Sequence, residues 1–475
     1  MLISNNSGPQ FSPYGDEERP GTTDPVAADG AWPAPRARGP LDARLTLPGS
    51  KSLTNRELVL SALADGPSLL RRPLHSRDSA LMIEALRALG VVIEEVPGEG
   101  LYGPDLRITP PAELAGSASI DCGLAGTVMR FLPPVAALAL GPVAFDGDEA
   151  ARRRPMRTTI DSLRALGIDV NDDGRGTLPF SLWGAGAVRG GEVEIDASAS
   201  SQFVSGLLLA APRFTEGLTL RHTGEHLPSM PHIEMTVAAL AARGVEVASP
   251  DEGVWVVAPG PIAAAEIDIE PDLSNAAPFL IAALVAGGTV AIEGWPRATT
   301  QVGDDLARIL PRFGATVRRD GEALVVDGGA GLLGGAALPG LELDLSTGGE
   351  LAPALVALAA LAEGPSRVTG IRHLRGHETD RLSALADDLN GVGGAVTELD
   401  DGLALEPASL TGGPWRAYED HRMATAGAIV GLAVDGIEVD DIASTAKTLP
   451  QFAELWRGML ATSAAPAERA GQQPG

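Results

Sequence analysis

LPGSKSLTNRELVLSALA, residues 47–64, joins a chain-breaking Pro-Gly pair to an apolar helix through a Ser-Lys-Ser turn. Lys51 and Arg56 therefore stand where a strand gives way to a helix N-terminus. Unpaired backbone N–H groups and the helix dipole favour an anion there by roughly 0.3 to 2 kcal/mol. Two fixed cations and several hydroxyls make the same place a phosphate or carboxylate site. It is not a P-loop, because no Gly stands at the required spacing before Lys51. Taken alone, a Lys and an Arg in a first helical turn are more often solvated surface residues, so the rest of the chain must decide.

The same kind of helix, apolar on nearly every side and closed by a Gly-containing turn, recurs along the chain. Its copies are SLTNRELVLSALADG, AGTVMRFLPPVAALALG, SSQFVSGLLLAAPRFTEG, LSNAAPFLIAALVAGG, GELAPALVALAALAEG and HRMATAGAIVGLAVDG. Between them lie amphipathic helices with apolar residues at i, i+3 and i+4: DSALMIEALRALGVVIEE, TTIDSLRALGIDV, HIEMTVAALAARGVEV, VGDDLARILPRFGATV and RLSALADDLNGVGGAV, with a shortened FAELWRGML at the end. The glycines closing the first three, Gly90, Gly167 and Gly244, are 77 residues apart (167 − 90 and 244 − 167). The chain therefore reads as six units of roughly 70 to 80 residues, each with two helices and several short strands. The all-apolar helices must be surrounded by protein, with the amphipathic ones outside them. Three units per domain would gather positive helix ends on one face, and two such faces would enclose an anion-seeking cleft.

Composition sets the outer limits. At 475 residues, with 44% apolar and 21% charged residues, the chain is globular and long enough for two or three domains. Aromatics are only 4%, so the core is built from Ala, Leu and Val. The single cysteine, Cys122, excludes an internal disulfide framework or a cysteine zinc site, and fits a reducing cytoplasm. A formal charge of −26 opposes nucleic acid and anionic membranes, which leaves a small anion held by a local focus of Lys and Arg. Residues 1–40 and 461–475 read as disordered extensions rich in Pro, Gly and Ala. No signal peptide and no membrane-spanning run is read from the sequence.

The residues before the apolar helices are not ordinary caps. They run Lys51, Ser52 and Arg56; Gly123, Gly126, Thr127 and Arg130; Ser200, Ser201 and Gln202; Asp272, Ser274 and Asn275; Glu350; and Asp420, His421 and Arg422. Ser, Asp and Asn are good N-caps, but a cation at a helix head opposes the dipole and calls for an anion. Arg152, Arg153 and Arg154 precede Pro155, HETDRLSAL puts Glu378, Asp380 and Arg381 in a helix's first turn, and Lys447 precedes the last helix. His373 and His377 are four apart beside Glu378, yet Gly376 leaves them in a loop, so a helical metal pair is not expected.

LPGSKSLTNR, DCGLAGTVMR, RRRPM, SASSQF, HETDRL, DHRMA and TAKT, in this order over residues 41–458, resemble the enolpyruvyl transferase family. The resemblance implies a two-domain, inside-out α/β barrel of six βαβαββ repeats with the active site in the cleft between domains. One domain would be residues 41–48 plus 269–460 and the other 49–268, with crossovers near Gly49 and Glu270. The implied reaction moves the enolpyruvyl group of phosphoenolpyruvate to the 5-hydroxyl of shikimate 3-phosphate, with loss of phosphate through a tetrahedral intermediate. No metal or organic cofactor is implied, and the expected protein is a cytoplasmic monomer and a glyphosate target.

Carried onto this sequence, the resemblance assigns Lys51, Ser52, Arg56, Ser200, Ser201, Gln202, Ser229, Glu350 and His377 to shikimate 3-phosphate. Lys51, Gly126, Arg154, Gln202, Arg381, Arg422 and Lys447 go to phosphoenolpyruvate, and Glu350, Lys51 and Glu378 to proton transfer. Many relatives have Asn, Lys and Tyr where this chain has Leu124, His377 and His232. A histidine is not a constant cation, so His377 is expected to make shikimate 3-phosphate affinity pH-dependent. The alternatives are the sister enzyme acting on UDP-N-acetylglucosamine, whose reactive Cys has no counterpart in GDEAARRRPM, and a non-catalytic repeat scaffold.

Overall fold

A computed structural model describes residues 30–463. They form six small sheets, five of four strands and one of three. Each four-stranded sheet is built alike: two parallel strands flank a buried helix, and two further strands complete the sheet in antiparallel fashion. Ala118–Asp121 and Leu140–Asp146, for example, lie parallel on either side of the helix Gly126–Ala136, and Phe180–Ala185 and Asp169–Asn171 follow. The 77-residue spacing has a local cause. Gly90, Gly167 and Gly244 each end an amphipathic helix at φ +92°, +83° and +79°, a conformation in which any Cβ is strained.

The chain changes halves twice, and the two crossings lie side by side. Strand Leu41–Leu45 pairs with Gly288–Ile292, while Glu266–Asp268 pairs with Ser68–Arg71, so two units have exchanged their first strands. At the crossing Gly49 bridges Pro271, Ser50 N–H donates to the Glu270 carbonyl at 2.8 Å and Asp272 N–H to that of Pro48 at 3.0 Å. A Cβ on Gly49 would lie 2.5 Å from the Arg72 carbonyl oxygen, so only glycine lets these segments pass. Two apolar cores result. One spans Leu58 to Ile262; the other joins Trp32–Leu47 to Leu273–Met459. Every residue of the Ala277–Ala286 helix is buried, as its all-round apolar sequence requires.

Three readings need correction. Residues 30–40 are not a disordered extension: Trp32–Pro33 pairs with Glu438–Val439, and Trp32, Ala34 and Ala37 are buried in the second core. A two-residue strand has no periodicity to read, and its Pro- and Ala-rich setting hid the one large anchor. Residues 1–29 and 464–475 of the expected tails lie outside the described residues. VGDDLARILPRFGATV is not one helix but 3-10, α and 3-10 turns over 302–313, because Pro311 has no N–H to continue the ladder. Glu378 precedes its helix, which begins at Arg381 after the cap Asp380.

Candidate active site

The heads of the buried helices meet between the two cores. Ser50 caps the Lys51–Ala62 helix, its hydroxyl accepting the Leu53 N–H at 3.4 Å. One carboxylate, Asp272, accepts the N–H of Lys51 at 3.1 Å and that of Asn275 at 3.0 Å, joining the heads of two helices from opposite halves. The Lys51 ammonium lines the cleft 3.7 Å from Asp78. Arg56 is fully buried, donating to Thr236 Oγ1 at 2.8 Å and to the carbonyls of Ser52 and His232 at 2.9 and 2.8 Å. Burial pulls its guanidinium down to about 9, with Glu350 and Glu57 pulling the other way, so it stays charged at neutral pH.

A second cationic corner surrounds the Gly126–Ala136 helix, whose first turn has no side-chain cap. Of the three adjacent arginines, Arg152 pairs with Asp146 and Arg153 with Glu149 at the surface. Arg154 alone turns inward, donating to the Leu124 carbonyl at 3.2 Å. Arg130 lies beside it, also buried, with weak contacts at 3.5 and 3.4 Å to the carbonyls of Gly126 and Pro155. The Nε atoms of both arginines and Oε1 of Gln202 are buried without a hydrogen-bond partner. Burial and the neighbouring Arg154 push the Arg130 guanidinium well below its ordinary value. Such unbalanced buried charge is costly, and an anion placed among these groups offsets it.

Carboxylates occupy the wall formed by the second core. Glu350 accepts from Ser274 Oγ at 2.5 Å and Arg422 Nη2 at 3.1 Å, and lies 3.7 Å from His232 Nε2. Burial alone would raise its carboxyl, but His232, Arg422, Ser274 and Lys51 together hold it at about 2. Arg381 grips Asp420 with two hydrogen bonds of 2.8 and 3.1 Å and Glu378 with a third of 3.1 Å. Asp420 also caps the His421–Ala433 helix through Arg422 N–H, which is why a cation is tolerated at that head. Glu378 closes the wall against Lys447, which reaches across to the Leu124 carbonyl at 3.3 Å. Burial would raise the Glu378 carboxyl, but Lys447 and Arg381 hold it well below its ordinary value.

The resulting cleft has a volume of about 790 Å³, counting its open mouth. Lys51, Ser52, Arg56, Gly126, Arg154, Ser200, Ser201, Gln202, Ser229, Glu350, His377, Glu378, Arg381 and Arg422 all line it, and Lys447 stands directly behind Glu378. Among the described lining residues Glu350 and Glu378 are the only acids, set against five Lys and Arg side chains. This is the local focus of positive charge that an acidic chain requires to hold an anion. Sequence reasoning gave no role to Arg130 or to His421, whose two ring nitrogens are buried without partners, although both stand inside quoted motifs. His373, expected from the sequence only as a loop residue, lines the cleft beside His377.

Residues 35–456 match the family described as EPSP synthase (3-phosphoshikimate 1-carboxyvinyltransferase). The chain belongs to the EPSP synthase family. A relative from Kocuria rhizophila named 3-phosphoshikimate 1-carboxyvinyltransferase is 58% identical over 440 residues, covering 91% of this chain and 97% of the relative. Among solved structures, an EPSP synthase from Acinetobacter baumannii superposes with a TM-score of 0.72 at 26% identity, covering 89% of this chain and 97% of that one. The enolpyruvyl transferase NikO from Streptomyces tendae shares the fold, with a TM-score of 0.69 at 17% identity over 89% and 96% of the two chains. In this EPSP synthase-family chain the lone thiol is chemically quiet. Cys122 is completely buried, and burial raises its thiol far above its ordinary range. Among the described residues no helix is long and apolar enough to cross a membrane.

Proposed function

We propose that the cleft transfers the enolpyruvyl group of phosphoenolpyruvate to the 5-hydroxyl of 3-phosphoshikimate, in a protein whose domains are residues 41–48 plus 269–460 and residues 49–268. The convergence of five cations and two acids on one cleft between the two cores, in a chain of this family, is the observation that carries the reading. Phosphoenolpyruvate seats against Gly126, Arg154, Arg381, Arg422 and Lys447, where planar guanidinium groups meet carboxylate and phosphate oxygens two at a time. Shikimate 3-phosphate takes the Ser200–Gln202, Ser229 and His377 side, with Lys51 between the two.

Glu350 accepts the 5-hydroxyl proton as the alkoxide oxygen bonds to the enol carbon, and an acid protonates the methylene. Removing a proton from the resulting methyl then expels phosphate and restores the double bond. In the resting cleft Glu378 is ionised against Lys447 and Arg381. That state leaves Lys51 the better proton donor for the addition step.

The direct test is phosphate release from phosphoenolpyruvate with 3-phosphoshikimate against UDP-N-acetylglucosamine. Turnover with the first alone is expected, and turnover with the second alone would sink the reading. Gly126 gives a finer test. A methyl there would lie 3.0 Å from Arg130 Nη1 and Gln202 Oε1 and 3.1 Å from Arg154 Nη2, on the helix head itself. Gly126→Ala is expected to raise the KM for phosphoenolpyruvate about ten- to hundredfold, the worth of one charge-assisted hydrogen bond. The KM for 3-phosphoshikimate should change little; an equal rise in both would place the phosphoenolpyruvate end elsewhere.

A further inference from the structure

Four of the chain's seven histidines, His232, His373, His377 and His421, line this one cleft. Two of them form a unit. The rings of His373 and His377 meet edge to face with centroids 5.8 Å apart, and His373 Nε2 lies 3.5 Å from the hydroxyl of Ser229, contributed by the other half of the molecule. His373 also fills the space over Gly349, where a Cβ would come within 2.5 Å of Nε2, so the ring is wedged against the turn that carries Glu350. His377 Nδ1 lies 3.5 Å from Arg381 Nη1 and 3.8 Å from Glu378.

We propose that the His373–His377 pair binds a proton from solvent when the phosphorylated acid seats against Ser229, so that the enzyme acquires part of its counter-charge only together with its substrate. The inference rests on the functional reading above. Without ligand the charged groups facing the pair are mostly cations: Arg381 and Arg154 toward His377 and Arg381 toward His373, opposed by Glu378 alone on the His377 side, while burial holds the neighbouring His232 ring below its ordinary value and neutral. Burial first and those cations second bring His373 to about 4 and His377 well below its ordinary value, so both rings are neutral at pH 7. A phosphate dianion reverses the balance. One unit charge 4 Å away near a protein surface shifts a protonation equilibrium by about a thousandfold. Two such charges are enough to protonate a group that titrates near 4. A neutral pair at rest avoids crowding further cations into a corner that already holds Arg154 and Arg381.

Isothermal titration of 3-phosphoshikimate at pH 7.5 in PIPES and in Tris reads the effect directly, because the difference in heat reports protons exchanged with the buffer. At that pH the ligand phosphate is already mostly dianionic. Wild type is expected to take up between about half and one proton per substrate bound, and the His373→Asn, His377→Asn double variant close to none. Zero uptake by wild type, or equal uptake by the double variant, overturns the proposal. His377→Lys, which supplies a permanent charge, should bind without uptake and distinguishes proton linkage from a packing defect. Failure of wild type to bind 3-phosphoshikimate at all, with binding of UDP-N-acetylglucosamine instead, would overturn the substrate assignment and this inference with it.

Discussion

Glu350→Gln is expected to lower kcat by about 10² to 10⁴, the range for loss of a positioned general base, while 3-phosphoshikimate still binds. The amide keeps the size and the hydrogen bond from Ser274, but cannot take the hydroxyl proton. A carboxyl held at about 2 is a weak base in the free enzyme. The groups that hold it there include Arg422 and Lys51, the cations proposed to engage the substrates. Once anions occupy those cations, their pull on Glu350 falls and its basicity rises when it is needed. Stopped-flow or steady-state phosphate release checks the rate, and calorimetry checks binding. A variant with near-native kcat would remove Glu350 from the chemistry.

Arg381→Met is expected to lose about 3 to 5 kcal/mol of stability, because it leaves Asp420 and Glu378 as buried carboxylates with too few partners. Arg381 is 2% exposed and Asp420 fully buried, so neither can relax into water. The sign with pH follows from Glu378. Its carboxyl sits well below its ordinary 4.5, so the pair's contribution is complete above that value and is lost as acid protonates the group. The gap between wild type and variant should therefore narrow as pH falls. Urea unfolding at pH 7 and at about pH 3, inside the window between the ordinary and the depressed carboxyl value, measures both, and an unchanged midpoint at pH 7 would show the cluster to be dispensable for folding. Asp420→Asn in the same chain should restore part of the loss.

Both residues were visible in the sequence, for different reasons. Arg381 and Asp420 stand in HETDRL and DHRMA, and cations at helix heads raised the question that the cleft answers. The sixfold pattern was equally legible, because an all-apolar helix has only one place to go and the glycines at 90, 167 and 244 require a conformation that only glycine adopts readily. What could not be read was direction. Three arginines in a row look alike in sequence, yet Arg152 and Arg153 find Asp146 and Glu149 at the surface and only Arg154 turns in. Arg130 sits in an apolar helix where its burial depends on packing from a distant segment. The pH-dependent affinity expected of His377 rested on a histidine near its ordinary value, whereas burial and Arg381 hold this one neutral, so any pH effect must arise through the bound state. Trp32 was lost in a stretch whose composition resembles a linker.

The exchanged strands at Gly49 and Pro271 bear on how the chain is made. Everything the first core needs, from Leu58 to Ile262, is available once the middle of the chain has left the ribosome. The other core must wait, because strand Leu41–Leu45 finds its neighbour only at Gly288–Ile292 and Trp32 finds Val439 only after the whole intervening chain has been made. The segment carrying Trp32 and Leu41–Leu45 therefore stays without a partner while that intervening chain is made, and this half, with its long-range pairings, is the slow and aggregation-exposed one.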